Sequence, residues 1–312
     1  MPSDWQPSTS IVHLQQRAKL MSKLRAFFSE RDVWEVDTPL LGAASVSDPH
    51  IDALAVANHY LQTSPEYFMK RLLAAGSGSI YYLGKAFRRD EAGARHNPEF
   101  TMLEWYRPGF DDHQLIDEVV DLIRYLNVDS AITTISYGEL FERYTGLNPH
   151  SASVIQFRHL AAEKLDVNWQ DDSISLWLDL LFSHLVEPQL TDAIYLVYDY
   201  PACQKALAKT SVNTEGIEVA HRFEMFWQGI ELANGYWELT DAVEQRLRFN
   251  ADNQIRTELG KPIIAPDEKF LAALDAGLPE CAGVALGVDR LLMCLLEQRT
   301  ISSVLPFSYM QL

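Results

Sequence analysis

The spacing of apolar residues predicts helices along much of the chain. Leu14, Ala18, Met21, Leu24 and Phe28 recur at helical intervals and predict an opening amphipathic helix. Further helices are predicted over about 113–126, 151–165 and 174–186, and in a polar-faced segment that begins near Asp241.

A capping signal predicts one more helix. Ser64-Pro65-Glu66 places a capping residue before a proline, which is well tolerated at the first helical position. The helix is expected to run to about Ala75 and to stop at Gly76.

Other segments have the patterns of strands. Residues 33–41 alternate and stop at Pro39, as an edge strand would. Runs rich in aromatic and β-branched residues predict strands at 80–87, 100–106 and 193–201, and turn-containing strands at 221–240. From residue 281 a strand of small residues becomes a helix. Since the chain has no repeat, low-complexity run or linker, one mixed α+β domain is predicted over 1–312.

Composition narrows the function classes. The 312 residues are 47% hydrophobic and 22% charged, as in ordinary globular proteins. A formal net charge of −17 argues against broad nucleic-acid binding, which needs a basic face. The first ten residues lack a secretory pattern, and Asp289 and Arg290 interrupt the longest apolar stretch near the C-terminus. With only Cys203, Cys281 and Cys294 to consider, a cytoplasmic protein with reduced thiols is expected.

Positive charge is concentrated in the loop of the hairpin that 80–106 predicts. Arg88, Arg89, Arg95 and His96 lie there, interleaved with acidic residues. The segment is either a solvated surface hairpin or a pocket wall that holds a compact polyanion. Arginine's planar fork suits phosphate and carboxylate oxygens.

A set of three carboxylates lies in the segment 221–240. Glu224, Glu231 and Glu238 are spaced by seven, an odd interval that alternates faces along one continuous strand. A hairpin turn at Asn234-Gly235, and another near 227–229, would bring all three to one cavity. The alternative is that they are ordinary exposed glutamates. Beside a positive hairpin, such a cluster suggests a magnesium-bound nucleotide next to a cationic substrate.

A third pattern, "GVALGVDR" at 283–290, lets a backbone or a planar ligand approach closely, although close strand–helix packing also explains it. The sequence has no Walker-type loop, zinc spacing or Ser-His-Asp arrangement, so His13, His59 and His221 are expected to be structural.

These segments together resemble the class II aminoacyl-tRNA synthetases. "FFSERDVWEVDTPLL", "FRRDE…RHNPEF" and "GVDR" are similar to their motifs 1, 2 and 3, and "TSPE", "RHNPEFTMLEWY" and "ELANGYWELTDA" are similar to the lysyl branch. The resemblance implies a central antiparallel β-sheet flanked by helices, a homodimer built around motif 1, and ATP-dependent formation of an aminoacyl-adenylate.

The resemblance also implies an ATP site. Arg88 would hold the α-phosphate and the reacting carboxylate, and Arg290 would stack on adenine opposite Phe100; both arginines are expected to be catalytic. Arg95 and His96 would hold the distal phosphates. The implied nucleotide contacts are Arg88, Arg89, Asp90, Arg95, His96, Asn97, Phe100, Glu231, Leu232, Gly287 and Arg290.

By the same resemblance, Glu224 and Glu231 would hold Mg²⁺. Glu66, Tyr106 and Glu238 would face the amino groups of the substrate. The full set of implied substrate residues is Ser64, Pro65, Glu66, Tyr106, Glu238 and Ala285.

The chain departs from lysyl-tRNA synthetases in three ways. Its first helix starts almost at residue 11, which leaves no room for an N-terminal anticodon-binding domain, so tRNA is not the expected acceptor. Ala285 stands where the lysyl enzymes have glycine, and its methyl group either reshapes the amino-acid pocket or packs the strand on a helix. Asp90 replaces the usual glutamate.

A lysyl-type body without that domain is similar to the elongation factor P–(R)-β-lysine ligase family. The resemblance implies transfer of β-lysine, or lysine, from the adenylate to a lysine of elongation factor P. Two alternatives stay open: an inactive paralogue that serves as a binding subunit, and an amide ligase with a small-molecule acceptor. Arg88, Glu231 and Arg290 argue against the inactive paralogue, because it has no chemical need of them.

Overall fold

The computed structural model describes residues 5–312; residues 1–4 of the predicted domain lie outside this range. The helices described are α1 (Ile11–Ser29), α2 (Glu66–Ala74), α3 (Asp112–Tyr125), α4 (Tyr137–Thr145), α5 (Val154–Leu165), α6 (Ile174–Leu181, continued by a π-helix to Val186), α7 (Ala242–Glu258), α8 (Glu268–Gly277) and α9 (Val288–Leu295). The strands are β1 (Trp34–Glu35), β2 (Leu41–Gly42), β3 (Ala55–Val56), β4 (His59–Leu61), β5 (Ile80–Phe87), β6 (Glu99–Pro108), β7 (Ile132–Ser136), β8 (Ile194–Pro201), β9 (Thr210–Val212), β10 (Glu218–Trp227), β11 (Ile230–Trp237) and β12 (Cys281–Gly287).

A nine-stranded sheet forms the centre of the fold. Its order is β1-β5-β6-β12-β11-β10-β8-β7, with β9 beside β10. The pairs from β5 to β8 are antiparallel, and only the outer pairs β1–β5 and β7–β8 are parallel. The predicted antiparallel sheet with flanking helices is therefore confirmed.

Helices cover both faces of this sheet, because alternate strand residues point to opposite sides. Trp105 packs with α1, α3 and α9, whereas the next residue, Tyr106, packs with α2 and α8. A third apolar cluster joins α4, α5 and α6 to the β8–β10 end. The cavity described below opens on the face that Tyr106 shares.

Most predicted elements are present. The helix after Ser64 begins at Glu66, whose backbone N–H donates to Ser64 Oγ at 3.0 Å. The strand predicted over 33–41 is reduced to Trp34–Glu35, which pairs at the sheet edge. The apolar pattern did not predict β7, α4 or α8.

The hairpin predicted at Asn234-Gly235 is wrong. Both residues lie inside β11, a central strand paired with β10 and β12. Glycine is required at 235 because a Cβ there would come within 2.5 Å of the Phe223 ring. The other turn, predicted near 227–229, is confirmed: the chain reverses at Gln228-Gly229, where φ is 55° and 65°, as in a type I′ turn.

A β-bulge, rather than a second turn, brings Glu231 to the face of Glu238. Met225 pairs with Ala233 and Phe226 with Glu231, so Leu232 is an extra residue in β11. One extra residue reverses the alternation of side chains along a strand. The odd spacing from Glu231 to Glu238 therefore ends on one face.

No helix within residues 5–312 is both long and apolar enough to span a membrane.

Candidate active site

A cavity of about 420 Å³ lies on the sheet between α2, α7 and the loop after β5. Fifteen of the residues singled out from the sequence line it: Ser64, Glu66, Arg88, Arg95, His96, Asn97, Phe100, Tyr106, Glu224, Glu231, Leu232, Glu238, Ala285, Gly287 and Arg290. The arginine-rich loop and the carboxylates thus share one cavity.

Three residues singled out from the sequence do not line this cavity. Pro65 lies at the start of α2. Arg89 and Asp90 have exposed side chains that pair with each other at 3.3 Å. Their assignment to the nucleotide stays a prediction, without support from this geometry.

Arg88 lies at one end of the cavity, called here the phosphate end and defined by Arg88, Arg95, His96, Glu231 and Arg290. Its guanidinium lies 5.2 Å from the centroid of the Phe100 ring and 3.6 Å from a carboxylate oxygen of Glu91. Its Nε is buried with no hydrogen-bond partner in residues 5–312. The fork can therefore still bind an anion.

Arg290 is held by the walls of the same end. It donates to the backbone oxygens of Glu231 at 3.0 Å and Arg95 at 3.2 Å, and it lies against His96 Nε2. Burial and the neighbouring Arg290 lower the pKa of His96. Arg88, not Arg290, lies over Phe100 here, so the expected stacking about adenine stays a prediction.

Two carboxylates border the phosphate end. Glu224 is buried; it accepts a hydrogen bond from Tyr200 at 2.7 Å and pairs with Arg222. Glu231 keeps 42% of its side-chain surface exposed. Burial in the cavity and the charge of Glu224 nevertheless raise its pKa to about 7. The two carboxylates repel one another, and a hard divalent cation bound between them would relieve that repulsion.

The opposite end of the cavity is built around a buried lysine. Lys70 Nζ lies 2.6 Å from an oxygen of Glu66 and 2.6 Å from one of Glu238. Burial alone would lower the pKa of Lys70, but the two carboxylates raise it above its ordinary value. Burial raises the pKa of Glu238 to about 8, against the opposing effect of Lys70.

Glu104 is a third carboxylate at this end, and our sequence analysis missed it. It is buried and accepts hydrogen bonds from Ser64 Oγ and Tyr106 Oη, each at 2.7 Å. Burial and the nearby Glu66 raise its pKa to about 7. A charged residue within the apolar run "FTMLEWY" was the available signal. We call Ser64, Glu66, Lys70, Glu104, Tyr106 and Glu238 the carboxylate cluster.

Small residues of β12 form the floor beneath both ends. A Cβ at Gly283 would lie 2.3 Å from the Tyr106 ring and 2.6 Å from Glu238 Oε1, so only glycine lets these side chains lie across the strand. Ala285 is paired between Glu104 and Asn234 and lines the cavity. At Gly287 a Cβ would meet no atom closer than 3.8 Å, so packing does not demand glycine there.

Asp289 of the third motif braces this floor. It is buried, pairs with Arg17 of α1 at 2.5 Å, and accepts from the backbone N–H of Thr101 at 2.7 Å. These contacts fix the start of α9, and with it the residue that follows, Arg290.

One further cluster lies outside the cavity lining. The ligand atoms of Asp112, Asp199 and His221 lie within 4.8 Å of one another. A hydrogen bond with Asp112 raises the pKa of His221. Such an ion pair agrees with the expected structural role of His221.

Comparisons with known proteins agree with this geometry. Residues 4–311 match the model of the family described as tRNA synthetases class II (D, K and N). A protein of Proteus mirabilis (strain HI4320) is 48% identical over 98% of this chain and 97% of its own length. One of Histophilus somni (strain 2336) is 48% identical, over 97% of each chain. Another, of Hamiltonella defensa, is 45% identical over 98% of this chain and 97% of its own. All three are named elongation factor P–(R)-β-lysine ligase.

Proposed function

We propose that this chain, which belongs to the family of class II tRNA synthetases (D, K and N), uses ATP to activate (R)-β-lysine and transfers it to a lysine of elongation factor P. The observation that carries this proposal is one cavity with an arginine-lined phosphate end and a carboxylate cluster at the other. The names of its relatives support the acceptor.

Two steps complete the reaction. A carboxylate oxygen of the amino acid attacks the α-phosphorus of ATP, and pyrophosphate leaves. The ε-amine of the acceptor lysine then attacks the carbonyl carbon of the adenylate, an amide forms, and AMP leaves with loss of the amine's proton. No side chain of the enzyme needs to become a covalent nucleophile.

Charge stabilisation and alignment supply the catalysis in this proposal. The unpartnered Nε of Arg88 offers a donor for the charge that develops at the α-phosphate. Arg290, fixed by two backbone oxygens, aligns the nucleotide. Glu224 and Glu231 would hold Mg²⁺, which when bound neutralises phosphate charge.

The charge of the carboxylate cluster supports a diamino acid as the substrate. Three carboxylates and one lysine have a formal charge of −2 when all four are ionised, which matches the two ammonium groups of lysine or β-lysine. A monoamino acid would leave one negative charge buried without a partner, a costly arrangement.

We further propose that residues 1–312 act as one catalytic domain in a homodimer built around the first motif. Trp34, Leu40 and Leu41 of that motif are exposed apolar residues, which is typical of a surface that a second subunit covers. Sedimentation of the wild type and of Trp34→Glu tests the dimer; equal mass for both would contradict this surface.

A labelling experiment tests the function. The enzyme is given ATP and radiolabelled (R)-β-lysine or lysine, with elongation factor P, the same factor with its acceptor lysine replaced by arginine, or tRNA. Label is expected only on elongation factor P that retains its acceptor lysine. Label on tRNA, or on the factor whose acceptor lysine is replaced, would contradict the proposed acceptor, and absence of amino-acid-dependent pyrophosphate exchange would support the inactive paralogue.

A further inference from the structure

Gln245 is a buried polar side chain with no role in the proposed reaction described by the residues above. It lies in the first turns of α7, lines the cavity, and is 1% exposed. Neither its amide oxygen nor its amide nitrogen has a hydrogen-bond partner within residues 5–312. Most buried side-chain polar atoms are paired, and a lone one is costly. The amide is therefore available to form hydrogen bonds with a ligand that enters the cavity.

The neighbours of Gln245 connect it to the carboxylate cluster. Phe249, one turn later on the same helix, has its ring 5.9 Å from that of Tyr67, the residue after Glu66. Arg248, on the next turn of α7, donates to the backbone oxygen of Ala208 at 2.7 Å, and Ala208 forms a bridge with Glu238. Gln245 thus borders the end of the cavity that takes the amino acid.

The cluster leaves room for one neutral acceptor. Both oxygens of Glu104 already accept hydrogen bonds, and Lys70 engages one oxygen each of Glu66 and Glu238. An ammonium group has three donors. An amide oxygen adds an acceptor without adding a further negative charge to a buried set whose formal charge is already −2.

We propose that Gln245 is a substrate-binding residue whose amide oxygen accepts a hydrogen bond from the ammonium group at the end of the substrate's side chain. The inference rests on the proposed function, which supplies a diamino acid as the ligand. The depth of Gln245 favours this small substrate over the acceptor lysine, which must approach from solvent. Gln245 would then help to select a lysine-type chain of the right length.

Gln245→Met tests the inference, with Gln254→Met as its matched control. Gln254 lies on the same helix, but its side chain is exposed and donates a hydrogen bond to Glu258 at 2.9 Å. For Gln245→Met we expect KM for lysine or β-lysine in pyrophosphate exchange to rise about 10- to 100-fold, the size of a lost hydrogen bond to a charged group. KM for ATP should not change, and Gln254→Met should behave as wild type.

Two further measurements separate binding from a structural role. With 3-aminohexanoic acid, which lacks the terminal amine, wild type and Gln245→Met should have equal KM values. The ligand-free variant should melt at or above the temperature of the wild type, because it buries no unpaired amide. A raised KM with both substrates, or an unchanged KM for lysine, would overturn the inference.

The wild type in the same assay separates the two proposals. No exchange with any lysine isomer would overturn the proposed function, and the ligand assigned to Gln245 with it. Exchange by the wild type with an unaltered Gln245→Met variant would overturn this inference alone.

Discussion

The two ends of the cavity bind charge in opposite ways. At the phosphate end Arg88, Glu231 and Arg290 keep partial exposure, and Arg88 Nε has no hydrogen-bond partner within residues 5–312. In the carboxylate cluster Lys70 and Glu238 are each 1% exposed and are paired with one another before any ligand enters. The proposed nucleotide site is therefore an open set of donors, whereas the proposed amino-acid site is a preformed, buried group of carboxylates. In our proposal, the carboxylate cluster recognises the side chain of the amino acid.

The largest effect is expected at the phosphate end. Arg88→Ala should lower the rate of adenylate formation by at least about 10²–10³-fold, as losses of charge-stabilising donors do. Amino-acid-dependent pyrophosphate exchange measures this, and circular dichroism checks the fold. Near-normal exchange by a folded variant would remove Arg88 from the chemistry.

At the other end the largest effect should be on stability. Lys70→Met leaves the charges of Glu66 and Glu238 without their cation, and breaking such buried pairs costs about 3–5 kcal/mol. Chemical denaturation gives the free energy of unfolding. Lys164→Met, which breaks an exposed pair with Glu163, is the control and should leave the free energy of unfolding almost unchanged. An equal loss of unfolding free energy in both variants would show that the buried ion pairs of Lys70 contribute no more to stability than an exposed pair.

Glu231→Gln and Glu238→Gln sharpen the division between the two ends. Glu231→Gln should weaken use of magnesium-bound ATP, since hard cations prefer charged oxygen ligands. Glu238→Gln should mainly raise KM for the amino acid by about 10- to 100-fold, the range of a hydrogen bond to a charged group. Exchange rates over a magnesium series test this. A defect in both variants that extra magnesium relieves would abolish the distinction.

A smaller effect is expected on the floor between the ends. Ala285→Gly should improve use of α-lysine relative to β-lysine by about 5- to 150-fold, the range of one methylene in a specificity pocket. The ratio of kcat/KM for the two isomers measures it. An unchanged ratio would mean that the methyl group does not discriminate between them.

The sequence predicted the fold better than it predicted the buried end of the site. Strands β5 and β6 were predictable because aromatic and β-branched residues bound a loop of turn formers. Asn234-Gly235 misled because glycine there serves close packing against Phe223, a tertiary demand that mimics a local turn signal. The turn at Gln228-Gly229 has a weaker local pattern, although the sequence does predict a turn near 227–229.

The same limit applies to the site residues. Arg88 and Arg95 of the phosphate end lie in a polar loop and can be recognised along the chain. Lys70, Glu104 and Gln245 lie within helices and a strand, where a single polar residue usually faces solvent. Only the assembled fold shows that Glu104 and Gln245 line one cavity, and that Lys70 is buried against two carboxylates of its wall.

The central claim is that the carboxylate cluster binds the two ammonium groups of the substrate. It can be tested by measuring the protons that the cluster releases on binding. Burial raises the pKa of Glu104 to about 7 and that of Glu238 to about 8, so both are partly protonated at pH 7. The titratable groups that face them are Glu66, Lys70, Tyr106 and Cys281. Raised carboxyl pKa values stabilise the fold below their ordinary value, near 4.5, and that contribution is lost as pH rises through 7 to 8. Ammonium groups should restore it by binding the charged forms.

Calorimetric titration of the wild type with lysine or β-lysine, in buffers of different ionisation enthalpy at pH 6 to 8.5, is the most direct measurement. The account predicts that binding releases protons near pH 7, that affinity rises with pH over this range, and that Glu104→Gln reduces both effects. Binding without proton release, with affinity independent of pH, would contradict a buried site whose ionised carboxylates bind two ammonium groups.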